Sequence, residues 1–324
     1  MGAPVTLTKE YKIGDMVATR EAYGQALLDL GAVNPEVVVL DADLSGSTQT
    51  KHFAKAYPER FFNMGIAENN MMGVAAGLAR MGKVPFASSF AMFAAGRAWE
   101  FVRNSIAHNH LAVRVCATHA GLTVGEDGAS HQIIEDVALM RVIPTMTVIV
   151  PADATEAYQV INTVAELDSP SYVRLGRAKV PVVFGPEYKF EIGKVSVIEE
   201  GTDISLIACG VMVWKAMEAA KILKAKGHSV ELINCASIKP IDVKGIVKTA
   251  NKTGRVITLE EHNIIGGLGD AVASVLMENC DQKIKFKRMG VEDKFGQSGD
   301  GMKLLEHYGL GEENIAKEAE KLLS

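Results

Sequence analysis

The sequence predicts an α/β protein of two consecutive domains, each a mostly parallel sheet flanked by helices. Three observations carry this expectation. Apolar runs of strand length alternate with helix-like stretches from about Arg20 to Leu175, and again from Ile204 onward, as in parallel strands joined by helical crossovers. Between the two series, Phe184 to Asp203 breaks the rhythm with Gly185-Pro186, Gly193 and Glu199-Glu200-Gly201. The length of 324 residues also exceeds the usual size of one domain. The expected units are residues 1–190 and 191–324.

Taken in order, Arg20 to Leu30 reads as a helix with Thr19 as its N-cap. Val37 to Leu40 is a continuous apolar run, typical of a strand covered on both faces. Glu68 to Arg80 reads as a buried helix rich in Ala and Met, Val84 to Ser88 as a strand, and Ala95 to His108 as a helix. Leu111 to Ala117, Met146 to Val150 and Ser171 to Leu175 follow as strands, with a helix over Thr155 to Leu167. In the second series the strands are Ile204 to Ala208, Ser229 to Asn234, Arg255 to Leu259 and Ile284 to Met289. The helices are Val213 to Lys226, closed by Gly227, then Leu268 to Asn279 and the tail from Glu312.

Composition removes several function classes. The chain is 48% hydrophobic and 23% charged, ordinary for a globular protein. Its net charge of −5, with no basic run, speaks against nucleic acid as a partner. Cys116, Cys209, Cys235 and Cys280 form no C-x-x-C pair, so neither a zinc site nor a disulfide framework is expected. Reduced thiols, no apolar leader over Met1 to Tyr11 and no membrane-length apolar run give a cytoplasmic expectation, with no membrane partner.

In open parallel sheets, ligands sit beyond the carboxyl ends of the strands. Asp41, Asp43, Thr118, His119 and Arg177 all fall at such ends. Singly, each reads as a turn or surface residue; with the adjacent loop they favour an anionic ligand. That loop, Gly121-Leu-Thr-Val-Gly-Glu-Asp-Gly-Ala-Ser-His-Gln132, has three glycines that permit tight turns and close backbone approach. Asp127 and His131 could converge on a hydroxylated substrate, although spacing alone suits a surface turn equally well. Glu68 opens an apolar helix. It reads either as a dipole partner or as a desolvated carboxyl of raised pKa, protonated until a basic partner arrives.

Three segments together resemble transketolase: Gly65-Ile-Ala-Glu68-Asn, then Phe90-x-x-Phe93-Ala-Ala-Gly96, then Gly125-Glu-Asp127-Gly-x-x-His131-Gln132. They stand in the family's order and spacing. The resemblance runs from about Arg20 to Val180 and continues more weakly beyond. It implies a thiamine-diphosphate-binding pyrimidine domain followed by a transketolase C-terminal domain. Glu68 matches the glutamate that hydrogen-bonds the aminopyrimidine and favours its imino tautomer, with the cofactor as electron sink. His131 matches a histidine near the reacting carbonyl, so Glu68 and His131 are the implied catalytic residues. Phe90 and Phe93 match aromatics packed on the pyrimidine, and both also suit plain core. Ala87 is small where the family often has an aromatic, which implies a looser ring pocket. Asp43 matches an acid near the cofactor and the subunit interface. Arg20, Ser47, His119 and Arg177 match the family's phosphate cluster, residue types suited to charge-assisted bonds. Asp127 matches the acid that reads a substrate hydroxyl.

The family's diphosphate-binding domain carries a Gly-Asp-Gly that holds Mg²⁺. Gly299-Asp300-Gly301 follows no clear strand and is rejected as a metal site. Gly266-Gly267-Leu268-Gly269 is a weak dinucleotide look-alike that more simply opens a helix. Glu260, Glu261 and His262 read as a strand-end polar turn without chemistry. The implied protein is half of a split transketolase in an α2β2 assembly, acting on sugar phosphates. A separate N-terminal subunit would supply the diphosphate site and the Mg²⁺ or Ca²⁺ ligands. The implied reaction is two-carbon ketol transfer from a ketose phosphate of the xylulose 5-phosphate type. Rival readings are a 1-deoxyxylulose-5-phosphate synthase, a 2-oxo acid dehydrogenase β subunit and a non-catalytic binding subunit of the same fold. His119 in Thr-His-Ala-Gly disfavours the first, Asp127 and His131 the second, and the full set of polar residues the third.

Overall fold

The computed structural model describes residues 9–324. Most of the predicted leaderless N-terminus, with the start of the first expected domain, lies outside the described residues.

Among the described residues, fourteen strands form three sheets. The first series holds β1 (Met16–Ala18), β2 (Val37–Asp41), β3 (Phe61–Asn63), β4 (Val84–Phe90), β5 (Arg114–Thr118), β6 (Thr147–Ile149), β7 (Ser171–Arg174) and β8 (Lys179–Pro181). The second holds β9 (Ser196–Glu199), β10 (Ile204–Ala208), β11 (Val230–Asn234), β12 (Ser237–Lys239), β13 (Arg255–Asn263) and β14 (Lys285–Val291). The large sheet has the order β12-β6-β7-β5-β4-β2-β3. All its pairs are parallel except β12 with β6. The smaller sheet runs β14-β13-β10-β11-β9, parallel except for β9 at its edge. β1 and β8 form a short antiparallel ribbon.

The predicted strands form because helices cover both faces of each sheet. All five residues of β2, Val-Val-Val-Leu-Asp, are buried, as are all five of β5 and of β10, so apolar runs replace alternation. Two elements depart from the sequence expectation. Thr19 lies within the helix Thr19–Val33 and does not cap it; its hydroxyl accepts the Gly176 amide at 2.8 Å instead. The single helix expected over Ala95 to His108 is two π-helical segments, Met92–Arg97 and Val102–Ala107, around a short α turn.

The domains are not separate bodies of apolar packing. β12 follows the second domain's β11 yet adds to the first domain's sheet. One continuous core joins Met71, Ala75 and Val115 of the first series to Ile207, Ile233 and Val272 of the second. This packing presses β13 of the second domain against the loop that follows β5.

Candidate active site

The parallel strands β2, β4, β5 and β7 end on one edge of the large sheet, at Asp41, Phe90, Thr118 and Arg174. After β2, the buried Asp41 accepts the Leu44 amide and the Thr48 hydroxyl at 2.6 Å each, and the Thr50 hydroxyl at 2.9 Å. These bonds fold the turn that carries Asp43 and the one-turn helix Ser45–Thr48. Asp43 itself is exposed at φ 65° and accepts from Asn63 Nδ2 at 2.9 Å. Ser47 meets the site through its carbonyl, which accepts Arg20 Nη1 at 2.7 Å. Arg20 Nε is buried without a partner, an unmet donor.

After β5 comes His119, held at φ 57° in the left-handed region that costs a non-glycine residue strain. Its ring stacks on Phe90 with centroids 3.9 Å apart. Its Nδ1 is 2.9 Å from the Thr118 hydroxyl, which leaves Nε2 as the nitrogen free of that bond. Burial, then the charges of Arg20, Arg177 and His131, push His119 down to about 3. The imidazole is therefore neutral at ordinary pH, a hydrogen-bonding group set among cations. Arg177, beyond β7, bonds Glu126 at 2.8 Å and the Val124 carbonyl.

After β4, the π-helical widening sets Phe93 and Arg97 side by side. The Phe93 ring lies 6.3 Å from Phe90 and nearly parallel to it. The Arg97 guanidinium stands 5.2 Å over Phe93, and its Nη1 is 3.1 Å from Glu68 Oε2. Glu68 is 1% exposed at the start of the helix Glu68–Arg80. His131 meets both phenyl rings edge-on, at 6.2 and 5.4 Å, and its Nδ1 is 2.9 Å from the Ser130 hydroxyl.

Glu68, Arg97, Phe93, Phe90, His119 and His131 thus form one chain of contacts, with Arg20 and Arg177 charging its far end. Asp127 is exposed at the end of the 3₁₀ segment Leu122–Asp127, and no hydrogen bond joins it to His131 among the described residues. Asp43 also stands outside this chain of contacts. Chemically, the arrangement offers an acid beside an aromatic wall at one end and a cationic, hydrogen-bonding cradle for an anion at the other.

Two expectations are corrected. Glu68 does not stand isolated awaiting a basic partner, because Arg97 already occupies one carboxylate oxygen. Glu260, Glu261 and His262 are not a turn; they are buried within β13. Glu260 accepts the Leu268 and Gly269 amides at 2.7 and 2.8 Å and so starts the helix Leu268–Asn279. Asp300 of the rejected Gly-Asp-Gly caps the helix Gly301–His307, accepting Met302 N and Lys303 N. Arg97 escaped the sequence reading, although its spacing of four from Phe93 is one at which helical side chains meet.

Comparison with known proteins places these features in a family. Residues 15–182 match the transketolase pyrimidine binding domain, and residues 193–315 match the transketolase C-terminal domain. The chain belongs to the transketolase family and corresponds to its pyrimidine-binding plus C-terminal part. It is 52% identical over 300 residues to a candidate transketolase C-terminal section of Methanocaldococcus jannaschii, covering 92% of this chain and 94% of that one. The 6-deoxy-6-sulfo-D-fructose transketolase subunit of a Clostridium species is 38% identical, covering 94% of each. A solved split-gene transketolase, described as an inactive β4 tetramer, superposes with a TM-score of 0.88 at 54% identity, covering 95% of this chain and 98% of that one. No helix among the described residues is long and apolar enough to cross a membrane.

Proposed function

We propose that this chain is the pyrimidine-binding subunit of a split, thiamine-diphosphate-dependent transketolase that moves a two-carbon ketol unit between sugar phosphates. A separate N-terminal transketolase subunit would complete it as α2β2. The observation that carries the reading is the buried His119, stacked on Phe90 near Arg20 and Arg177, in the same contact chain as the buried Glu68. Carbon–carbon bond cleavage next to a carbonyl needs an electron sink, which thiamine diphosphate supplies when bound.

The residues present fit one half of that cofactor. Glu68 offers a buried carboxylate, and Phe90 and Phe93 offer flat apolar faces, as an aminopyrimidine requires. No group of three or more His, Cys, Asp or Glu suited to a metal ion occurs among the described residues. The diphosphate and its Mg²⁺ or Ca²⁺ are assigned to the partner subunit in this reading. Glu68 would hold the ring nitrogen and set its proton. Phe90 and Phe93 would orient the ring and exclude water. His131, edge-on to both phenyl rings, would hydrogen-bond the substrate near its carbonyl. Arg20, the Ser47 turn, His119 and Arg177 would bind the terminal anion, and Asp127 would read a hydroxyl between the two ends. Asp43, exposed on its turn, suits a contact at the subunit interface. With its domains divided near residue 190, the second would serve mainly to assemble and brace the first. The four free cysteines suit a reducing cytoplasm.

The donor need not be xylulose 5-phosphate. A sulfonate, such as the Clostridium relative's named substrate carries, has the same oxygen-rich negative head as a phosphate, and the Arg20–His119–Arg177 cluster would take either. The test is to combine the chain with an N-terminal transketolase subunit from the same source, thiamine diphosphate and Mg²⁺. Xylulose 5-phosphate and 6-deoxy-6-sulfofructose are offered with ribose 5-phosphate as acceptor. Ketol transfer dependent on both subunits is expected; pyruvate consumption without ketol transfer, or no reaction with any ketose, would refute the reading.

A further inference from the structure

We propose that Glu261, on β13 of the second domain, is a positioning residue that fixes the loop Gly121–Gln132 and thereby the site's preference for long, phosphorylated donors. This deepens the function proposed above and rests on it for the identity of the substrate. Glu261 lies 138 residues from Thr123 in sequence, yet its carboxylate accepts the Thr123 amide at 3.0 Å and the Thr123 hydroxyl at 2.9 and 3.1 Å. It is 5% exposed. The carboxylate lies so close under Gly121, at φ +79°, that any side chain there would collide with it.

On its other side, Glu261 faces Arg174, whose Nη1 is 3.5 Å from Oε1 and whose Nη2 donates to the Glu261 carbonyl at 3.1 Å. Arg174 Nε bonds Asp136 at 2.8 Å, and the Tyr172 hydroxyl bonds the same oxygen at 2.7 Å. One further second-domain segment, residues 297–301, touches the loop. Gln132 Nε2 donates to the carbonyls of Leu122, Gly125 and Gln297 at 3.2, 3.1 and 3.0 Å. Gly125 packs against the backbone of Gly299 and Gly301 so closely that an added Cβ would lie 3.2 Å from the Gly299 carbonyl oxygen.

The second domain thus holds the beginning, middle and end of the loop from one side, while Asp127 and His131 belong to its substrate-facing turn. A buried ionic network adds little stability over apolar packing of the same volume, and its best-attested value is in specifying geometry. Losing the Thr123 hydroxyl bond, or the charge that strengthens the bonds to Thr123, lets the loop shift, and a small misplacement of a contact residue is enough to weaken binding. Of the anion cluster, Arg20 and His119 form no hydrogen bond with Thr123 or Glu261, whereas Arg177 bonds the Val124 carbonyl and Glu126 of the loop and would move with it. What changes is the placement of the Thr123–Asp127 side of the loop, which matters only for a donor long enough to reach Asp127 and the anion cluster. His131 stays held through its neighbour Gln132, whose bonds to the Leu122, Gly125 and Gln297 carbonyls remain in place.

The experiment uses the reconstituted complex with Thr123→Val, Thr123→Ser and Glu261→Gln. Steady-state kinetics compare xylulose 5-phosphate with hydroxypyruvate, a short donor lacking the phosphate and outer hydroxyls. Thr123→Val and Glu261→Gln should raise KM for the ketose phosphate about tenfold and leave kcat/KM for hydroxypyruvate within about twofold. Thr123→Ser, which keeps the hydroxyl, should restore the ketose phosphate value. Equal losses on both donors, or an unchanged ketose KM, would overturn the proposal. Amide hydrogen exchange provides a readout independent of the reaction. Exchange should quicken over residues 121–132 in Glu261→Gln and stay unchanged over the helix Glu68–Arg80. A complex inactive with every ketose but showing that exchange pattern would refute the assigned activity and leave the clamp standing; unchanged loop exchange would refute the clamp itself.

Discussion

A buried acid at the domain junction gives a pH dependence whose sign and size follow from the structure. Glu156, in the helix Ala154–Ala165, is completely buried. Its Oε1 accepts from the Tyr188 hydroxyl at 2.5 Å and Asn234 Nδ2 at 2.7 Å, and its Oε2 from the Ala152 amide at 2.7 Å. Tyr188 belongs to the interdomain linker and Asn234 to β11, so the carboxyl ties three parts of the chain together. Burial pushes its pKa up to about 7 from an ordinary 4.5, against the opposing pull of those donors. Between the two values the folded protein holds a proton that the unfolded chain has released. Its contribution to stability is thus greatest below the unfolded value, falls as pH rises through the window and levels off near the folded value. At 1.36 kcal/mol per pKa unit, the total is about 3 kcal/mol. His119 works the other way. With its folded pKa pushed down to about 3, it makes stability rise with pH up to the ordinary histidine value. The wild-type curve alone therefore mixes the two. The assay is urea unfolding from pH 4.5 to 8 on wild type and Glu156→Gln, read as the difference at each pH. That difference should move by about 3 kcal/mol, against the wild type as pH rises. A flat difference would mean that the three donors hold the carboxylate ionised, and the reasoning from burial would fail.

Further predictions concern the site. Glu68→Gln should lower ketol transfer in the reconstituted complex by about 10² to 10⁴, with the circular dichroism spectrum unchanged; near-normal turnover would remove Glu68 from the mechanism. Arg97→Gln removes a half-exposed cation from Glu68 and Phe93 and should raise the thiamine diphosphate concentration for half-activation by about tenfold or less, as measured by cofactor titration. Gly121→Ala sets a Cβ on the Glu261 carboxylate at φ +79°, ψ −172°, a region open essentially to glycine. It should cost at least about 2 kcal/mol in urea unfolding. The matched control Gly309→Ala, at φ +77° with open space around it, should cost only its backbone strain of about 1 kcal/mol.

The framework was legible because it rests on local patterns. Val37 to Leu40, Ile204 to Ala208 and the Ala-rich helix from Glu68 declare themselves by apolar run or period, and strand ends point to the site by the rule for open parallel sheets. The glycine-rich loop after β5 was visible by composition. What escaped was non-local or a matter of helix type. No local pattern separates the π-helical turns at Met92–Arg97 from an α-helix, yet those turns carry Arg97 to Glu68. The transfer of Ser237–Lys239 to the edge of the first sheet is a tertiary choice that three residues cannot announce. The two acids after β2 share one strand-end position in sequence; the structure separates Asp41, consumed in building its own turn, from the exposed Asp43.

Glu261 shows why reading polar residues one at a time misled most at the junction. In sequence, Glu260-Glu261-His262 is three polar residues after an apolar strand, the composition of an exposed turn. Burying them is costly unless every charge and hydrogen-bonding group finds a partner, and those of Glu261 and of His262 Nε2 come from the first domain. Leu268 and Gly269 amides meet Glu260, Thr123 and Arg174 meet Glu261, and the Ala138 amide donates to His262 Nε2 at 3.3 Å. Glu260 and His262 Nδ1 are met from within the second domain, whereas Glu261 and His262 Nε2 are met from the first. The strand could therefore run polar and buried only after both domains had docked. A polar run that the fold buries in full, with each side chain already bonded to fixed groups of the protein, holds elements in register rather than reacting with substrate. That distinguishes the second domain's acids from Glu68, whose one charged partner, Arg97, is half-exposed and can give way to a ligand.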